Sequence, residues 1–386
     1  MYMLTVNIPN EYNTSIIEEW TKNNSYNIYF KQSSYQGYLD PLFLESINIH
    51  WMRFVPPKPW EHYTLAIIYL CIMVFGIFGN ALVGYMFLRC RILRTSANIL
   101  VINLAISDFL MLAKTPIFIY NSLKFGPILG DVACRMYGFL GGLTGTVSIT
   151  TLTAISLDRY FVIIYPLNPR ILGSKKLRPI IMLAFVWLYS FGFAIMPALD
   201  MGFSKYTPEG FLTSCSFDYL DDRASARIFM FLFFVGAWCI PLTIIVYCYA
   251  QIMKVVKATG KIQSSRSQNR VERKLMIVVV NVIVLWFVAW TPYSIVALLG
   301  ISGKNEYLTP WASMLPAVFC KASACLNPYL YSMTHPQFKK EILRFLHAKF
   351  GIGHGPQLTS TAKTMSVRFV SSKFTRRTSN MGMNTY

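Results

Sequence analysis

Charge is scarce in this sequence: of its 386 residues only 14% are Asp, Glu, Lys or Arg. A water-soluble globular chain carries about 25%, so a protein surrounded by water on all sides is excluded. Acids are scarcer than bases, 17 against 36, which leaves a formal net charge of +19. Such an excess can suit nucleic acid, but the basic residues stand between long apolar runs and form no groove-reading module. Nucleic acid is therefore excluded as a partner. Metal-ligand spacing is absent, as is any internal repeat, and no pair of matching broken helices marks a transporter. No basic start followed by an apolar core marks a cleavable signal peptide, so the first apolar run is expected to act as the insertion signal.

What the chain has in quantity is apolar length: 54% of it is hydrophobic and 15% aromatic. Crossing a bilayer takes about 20 mostly apolar residues in a helix, and runs of that length fall at about 63–88, 98–122, 133–157, 178–200, 228–252, 274–299 and 309–333. In hydrocarbon each backbone N–H and C=O must be satisfied within the segment, which makes these runs helices. The fold class expected is an all-α membrane protein, a seven-transmembrane helix bundle.

Lys and Arg are unevenly shared between the two sets of connections. One set holds Arg89, Arg91 and Arg94, then Lys175, Lys176 and Arg178, then Lys254 through Lys274, and last Lys339, Lys340, Arg344 and Lys349. By the positive-inside rule these are cytoplasmic and the N-terminus is outside. Residues 1–62 then form an extracellular tail, 63–333 the bundle, 334–350 a short amphipathic surface helix and 351–386 a cytoplasmic tail. In the surface helix Phe338, Ile342, Phe345 and Leu346 share one face and Lys and Arg take the other, as suits a helix lying on a membrane. The last tail is basic and rich in Ser and Thr, either a set of phosphate acceptors or a solvated tail. The outer tail carries sequons at Asn13 and Asn23, candidate glycosylation sites.

Six of the eight cysteines lie in apolar spans or at their inner margin (Cys71, Cys90, Cys239, Cys248, Cys320, Cys325), where they read as small buried hydrophobes. Cys134 opens the third span on the outer side and Cys215 lies in the long outer loop before the fifth. Both face an oxidising compartment, and a Cys134–Cys215 disulfide is expected, pinning that loop over the bundle mouth.

Lys321 is the central residue. It stands mid-span in the seventh run, between Pro316 and Asn327, with no other charge in that segment. An ionised side chain at the bilayer centre costs roughly 2.5–3.5 kcal/mol on insertion scales. The lysine is either paired or snorkelling, or it is a buried amine poised to attack an aldehyde and form a Schiff base; its depth favours the second. Lys114, beside Pro116 in the second span, is a further intramembrane lysine. It either snorkels outward or faces Lys321, and the repulsion between them is relieved if Lys321 forms a neutral imine.

Asp108 in the second span demands polar company, with Asn80 and Asn327 as candidate partners in a structural or switching network. Asp158-Arg159-Tyr160 closes the third span at its inner end, where Arg159 can pair with Asp158 and with Glu272 of the sixth span. That pairing would clasp the third and sixth helices until a partner enters. Trp290-Thr291-Pro292 places an indole above a proline kink in the sixth span, and Pro241 and Tyr249 mark the fifth.

Over about residues 63–346 these landmarks together resemble the rhodopsin-like class of G-protein-coupled receptors. The carriers are Asn80, Asp108, Cys134, Asp158-Arg159-Tyr160, Trp187, Pro241, Tyr249, Trp290, Pro292 and Asn327-Pro328-Tyr329-Leu330-Tyr331. Within that class Lys321, six residues before Asn327, falls where opsins carry their retinal-binding lysine. The loop Pro208–Tyr219 resembles that of arthropod opsins, in which the glutamate matching Glu209 is the counterion. The vertebrate counterion place in the third span holds Tyr137. The stretch Lys114–Ser122 looks like insect ultraviolet opsins, in which this lysine favours an unprotonated Schiff base.

The resemblance implies a light sensor of the ultraviolet or rhodopsin 7 type and not an enzyme. Its cofactor would be 11-cis-retinal (or 3-hydroxyretinal), with Lys321, Glu209, Tyr137, Lys114, Trp290 and Gly141 as cofactor-binding residues. Asp158, Arg159, Tyr160, Glu272, Tyr249, Asn327, Pro328 and Tyr331 would form the coupling apparatus. The implied partners are a heterotrimeric G protein of Gq type, an arrestin and a receptor kinase, at the plasma membrane or in rhabdomeric microvilli. His335-Pro336-Gln337 and a short third inner loop depart from the arthropod visual pattern at the surface that faces the G protein. A receptor for a diffusible ligand and a retinal photoisomerase stay open as rivals. An amine ligand is disfavoured, because the region that would need an acid reads Leu140-Gly141-Gly142.

Overall fold

Pro59 at the first helical position and Glu61, whose carboxylate accepts the Lys58 backbone N–H at 2.6 Å, start the first membrane-length helix. A computed structural model describes residues 14–35, 37, 40–93, 96–166, 177–259, 266–334 and 336–350. Its helices are α1 (Thr14–Gln32), α2 (Pro41–Ser46), α3 (Pro59–Arg89), α4 (Ser96–Ala113), α5 (Thr115–Leu123), α6 (Gly130–Ile164) and α7 (Leu177–Ala198). After the hairpin β1 (Tyr206–Glu209) and β2 (Ser214–Phe217) come α8 (Ala224–Phe234), α9 (Ile240–Thr259), α10 (Arg266–Ile301), α11 (Pro310–Thr334) and α12 (Pro336–Phe350).

The seven expected spans are all present, and two are interrupted. The second breaks between α4 and α5 at Lys114, because Pro116 has no N–H to continue the ladder. The fifth passes from α8 to α9 through a π-turn at Val235–Cys239. Six spans are long and apolar enough to cross a bilayer by composition alone among the described residues. The seventh, α11, is long enough but diluted by Lys321, Asn327 and two internal prolines, Pro316 and Pro328. The bilayer rather than the protein covers much of the bundle: Leu88, Leu188 and Val288 are each about 70% exposed, as lipid-facing residues are.

α6 is the central post, packed against α4, α7 and α9. From Leu143 to Ser156 every residue of it is buried, which its Thr, Ser and Gly content permits in two ways. Small side chains let neighbouring helices approach closely. Their hydroxyls return to the carbonyl four residues back, as Thr146 does to Gly142 at 2.8 Å and Ser156 to Leu152 at 2.8 Å.

The β1–β2 hairpin pairs antiparallel, with Pro208 opposite Cys215 and Glu209 opposite Ser214. The Cys134–Cys215 disulfide ties it to the start of α6. Over it lies a packed layer from the N-terminal segment, where the sequence predicts a tail. Tyr26 and Tyr29 of α1 with Ile47, Trp51 and Met52 form one apolar cluster with Tyr206, Leu212, Phe217 and Tyr219. Tyr26 donates its hydroxyl to the Ile47 carbonyl at 2.8 Å, and His50 donates a ring N–H to the Leu308 carbonyl at 2.7 Å. Phe338, at the start of α12, stacks on Phe87 of α3. From Lys339 onward the chain forms a second unit, whose described part is the remainder of α12 with an Arg344–Glu341 ion pair at 2.7 Å.

Candidate functional site

Beneath the hairpin the spans part around a cavity of about 120 Å³. Its walls are mostly apolar and aromatic: Phe233, Phe234 and Trp238 on one side, Trp286 and Trp290 below, Ala317 and Cys320 opposite. Two lysines and one glutamate are its charged lining residues.

Lys321 is 7% exposed. Its Nζ donates to the Ala317 carbonyl at 3.2 Å, one turn back on α11, and stands 5.3 and 5.7 Å from the ring centroids of Tyr69 and Tyr137. No ion pair of the described residues includes it. Pairing and snorkelling, the two ordinary accommodations of an intramembrane lysine, are thus both unused, and a primary amine faces an apolar cavity.

Lys114 does not snorkel either. At 5% exposure it turns inward from the α4–α5 break, donates Nζ to the Tyr137 carbonyl at 2.8 Å and stands 4.0 Å over the Tyr137 ring. The two amino groups therefore share one phenol as neighbour. The Tyr137 hydroxyl is buried and unpartnered among the described residues.

Glu209 hangs from β1 into the cavity, 5% exposed. The Tyr219 hydroxyl donates to its Oε2 at 2.9 Å and that of Tyr293 approaches at 3.5 Å; Tyr293 also shares a short hydrogen bond with the Ser216 hydroxyl. Burial pushes the Glu209 carboxyl up from 4.5 to about 7, while the Tyr219 hydroxyl and the two lysines hold it down. Tyr219 and Tyr293 were not legible as its partners: one follows it by ten residues across a turn, the other comes from α10.

Trp290 stacks on Trp286 with centroids 5.3 Å apart and rings inclined by 11°. It lies against Gly145 of α6, where an added Cβ would collide with the indole. The third and sixth spans thus touch at this indole, just before the interior Pro292 of α10.

Below the cavity Asp108 meets one expected partner and not the other. Asn327 donates Nδ2 to its Oδ2 at 2.7 Å and Ser148 its hydroxyl to Oδ1 at 3.2 Å. Asn80 instead donates to the backbone carbonyls of Gly76 and Ala324, at 2.9 and 3.1 Å, joining α3 to α11. A second network runs from Trp187 Nε1 to Asn103 at 2.8 Å and from Asn103 to Thr151 at 2.8 Å. Pro328 is buried against Gly79.

At the far end of α6, Arg159 pairs with Asp158 at 3.3 Å as expected. Arg178 of α7 holds the same carboxylate at 2.5 Å. Tyr160 packs edge-on against Tyr165 and tilted against Tyr247, and Tyr249 lies near Ser156 and Arg159. The side chains of Glu272 and Tyr331 fall outside the described residues, as does Asn13; Asn23 is exposed on α1.

This geometry defines a class: a seven-helix receptor whose apolar cavity opens onto a buried amine. Residues 79–331 match the 7 transmembrane receptor (rhodopsin family) profile. The chain is 37% identical over 312 residues to the honeybee Apis mellifera protein "Opsin, ultraviolet-sensitive", covering 77% of this chain and 83% of that one. It is 40% identical over 312 residues to the melanopsin of Felis catus, covering 77% of this chain and 63% of that one. The structure of squid rhodopsin superposes with a TM-score of 0.74 at 32% identity, covering 86% of this chain and 97% of that one. The chain belongs to the opsins of the rhodopsin family of seven-transmembrane receptors.

Proposed function

We propose that the protein is a light-sensing receptor that binds retinal, as 11-cis-retinal or its 3-hydroxy form, covalently at Lys321. The observation that carries this reading is the Lys321 amine, buried in the cavity with, among the described residues, only its own helix's Ala317 carbonyl as hydrogen-bond partner. Apolar and aromatic walls suit a polyene, and an unpaired amine suits an aldehyde. Bound there, retinal would supply the absorption of light and a change of ligand shape.

The chain's own residues do the rest. Lys321 anchors the ligand end; Glu209, held by Tyr219 and Tyr293, is the acid of the cavity and serves as counterion. Lys114 sets a positive charge beside Tyr137 and opposes a second one at Lys321, which favours near-ultraviolet sensitivity. Trp290, wedged between Gly145 and the Pro292 kink, passes a change in cavity shape to α10. Asp158 is gripped by Arg159 and Arg178, and Arg159 with Glu272 closes the inner end. Opening that end admits a heterotrimeric G protein of Gq type, with arrestin and a receptor kinase as later partners. The step is a shift between two packings of the bundle, biased by the ligand. The receptor sits in the plasma membrane, in rhabdomeric microvilli where those exist, with its N-terminus outside and residues 351–386 within the cell.

The test is expression with added 11-cis-retinal, borohydride reduction and mass spectrometry of the peptide bearing Lys321. Wild type is expected to carry one retinyl group there and Lys321→Ala none. Wild-type protein that carries no retinyl group on Lys321 under these conditions refutes the reading. Light-dependent nucleotide exchange on a Gq-type protein tests the signalling half, which a photoisomerase would lack.

A further inference from the structure

Four glycines of α6 face the cavity or its rim, and three are explained by aromatic neighbours. A Cβ at Gly138 would strike Tyr206, one at Gly142 Phe217, and one at Gly145 Trp290. Gly141 differs. Among the described residues, and apart from its chain neighbours and its own helix backbone, the atoms within 4 Å of a Cβ there belong to Lys114, the Nζ in collision and the Cε at 3.7 Å.

Helix geometry explains the coincidence. In an α-helix the carbonyl of one residue accepts the N–H four residues on, so the Tyr137 carbonyl belongs to the rung closed by Gly141. The Lys114 ammonium donates to that same carbonyl at 2.8 Å, and to reach it must lie on the surface of residue 141. Gly141 has no left-handed backbone to justify it, since it is absent from the positive-φ residues. Glycine inside a helix is also worse than alanine. Gly141 also lines the cavity, but among the described residues the neighbour that its missing side chain accommodates is the lysine.

We propose that Gly141 is a positioning residue for the Lys114 ammonium: its absent side chain is the seat that fixes this cation beside Tyr137 and so sets its distance from Lys321. In its spectral consequence the inference rests on retinal being bound at Lys321; in its structural content it does not. The cation at the end of Lys114 is the flexible member of the contact, so an alanine at 141 displaces the ammonium and leaves the helices in place. A carboxylate at 141 instead meets the ammonium and cancels its field at Lys321.

Two measurements test this. In the ligand-free protein, thermal unfolding is read for Gly141→Ala in the wild-type background and in a Lys114→Ala background. Gly141→Ala is expected to lower the midpoint beside Lys114 and to raise it once Lys114 is gone, as alanine's helix preference then acts alone. Equal shifts in the two backgrounds overturn the proposal whether or not retinal binds. In the retinal-loaded protein the absorption maximum is read for wild type, Gly141→Ala, Gly141→Asp, Lys114→Gln and Gly84→Ala, the last placing its methyl in open space. Gly141→Asp is expected to match the longer-wavelength maximum of Lys114→Gln, Gly141→Ala to move part of the absorbance the same way, and Gly84→Ala to absorb as wild type. Both Gly141 variants absorbing as wild type overturn the proposal, as does a Lys114→Gln spectrum identical to the parent's.

Discussion

Raising the pH of the ligand-free protein should destabilise it, and Glu209 should account for part of the loss. The carboxyl is buried beneath the hairpin, which moves it from 4.5 to about 7. Between those two values the folded state holds a proton that the unfolded state has released. Stability is therefore fully present below the unfolded value and is lost as pH rises through about 7. A shift of this size, taken from about pH 5.5 to about pH 8, removes on the order of 2 kcal/mol. Asp218, also buried in the hairpin and raised to about 6, adds in the same sense. His50, which burial holds below its ordinary range, acts in the opposite sense at the acid end. The comparison that isolates Glu209 is the unfolding midpoint of wild type against Glu209→Gln, each measured across that pH range in lipid nanodiscs. Glutamine can still accept from the Tyr219 hydroxyl but cannot ionise, so the variant should lose about 2 kcal/mol less than wild type as pH rises. Parallel pH profiles for the two proteins would show that the carboxyl ionises without cost in its site, and the reasoning from burial would be refuted.

Two further outcomes follow from contacts elsewhere. Cys134→Ser and Cys215→Ser should each lower stability by about 2–5 kcal/mol and raise hydrogen exchange in residues 206–217; unchanged exchange there would show that the hairpin is held without its tether. Arg178→Gln removes a charge-assisted bond to the nearly buried Asp158 and should cost about 1–3 kcal/mol by thermal unfolding. Arg344→Gln, at an exposed pair, should cost less than about 1 kcal/mol, and equal losses in the two would refute the ranking.

The bundle was legible because bilayer crossing imposes a length and composition that no local detail overrides. Lys321, Asp108 and the Cys134–Cys215 pair were legible for a related reason: a charge or an outward thiol in an apolar run is anomalous, and anomalies have few remedies. The N-terminal layer was not. Tyr26, Ile47 and Trp51 bury their rings and side chains against the hairpin at irregular spacing, so they leave no period in the sequence. Asn80 is a candidate partner of Asp108 by sequence, but its amide bonds the Gly76 and Ala324 carbonyls instead; composition does not reveal which polar neighbours lie nearest. The grip of Arg178 on Asp158 and of Tyr219 and Tyr293 on Glu209 depends on tertiary approach alone. The family and fold agree with the reading from residues, while the roles of the individual site residues rest on the proposals above.

The π-turn at Val235–Cys239 bears on how the fifth span serves two purposes. One extra residue in a turn offsets everything after it by about 100° around the helix axis relative to an uninterrupted α-helix. Upstream of the turn Phe233 and Phe234 are cavity wall, and downstream Tyr249 lies by Arg159. A straight helix carrying the same side chains would aim one of these groups at lipid. A single-residue insertion thus lets one rod address the ligand chamber and the opposite mouth of the bundle.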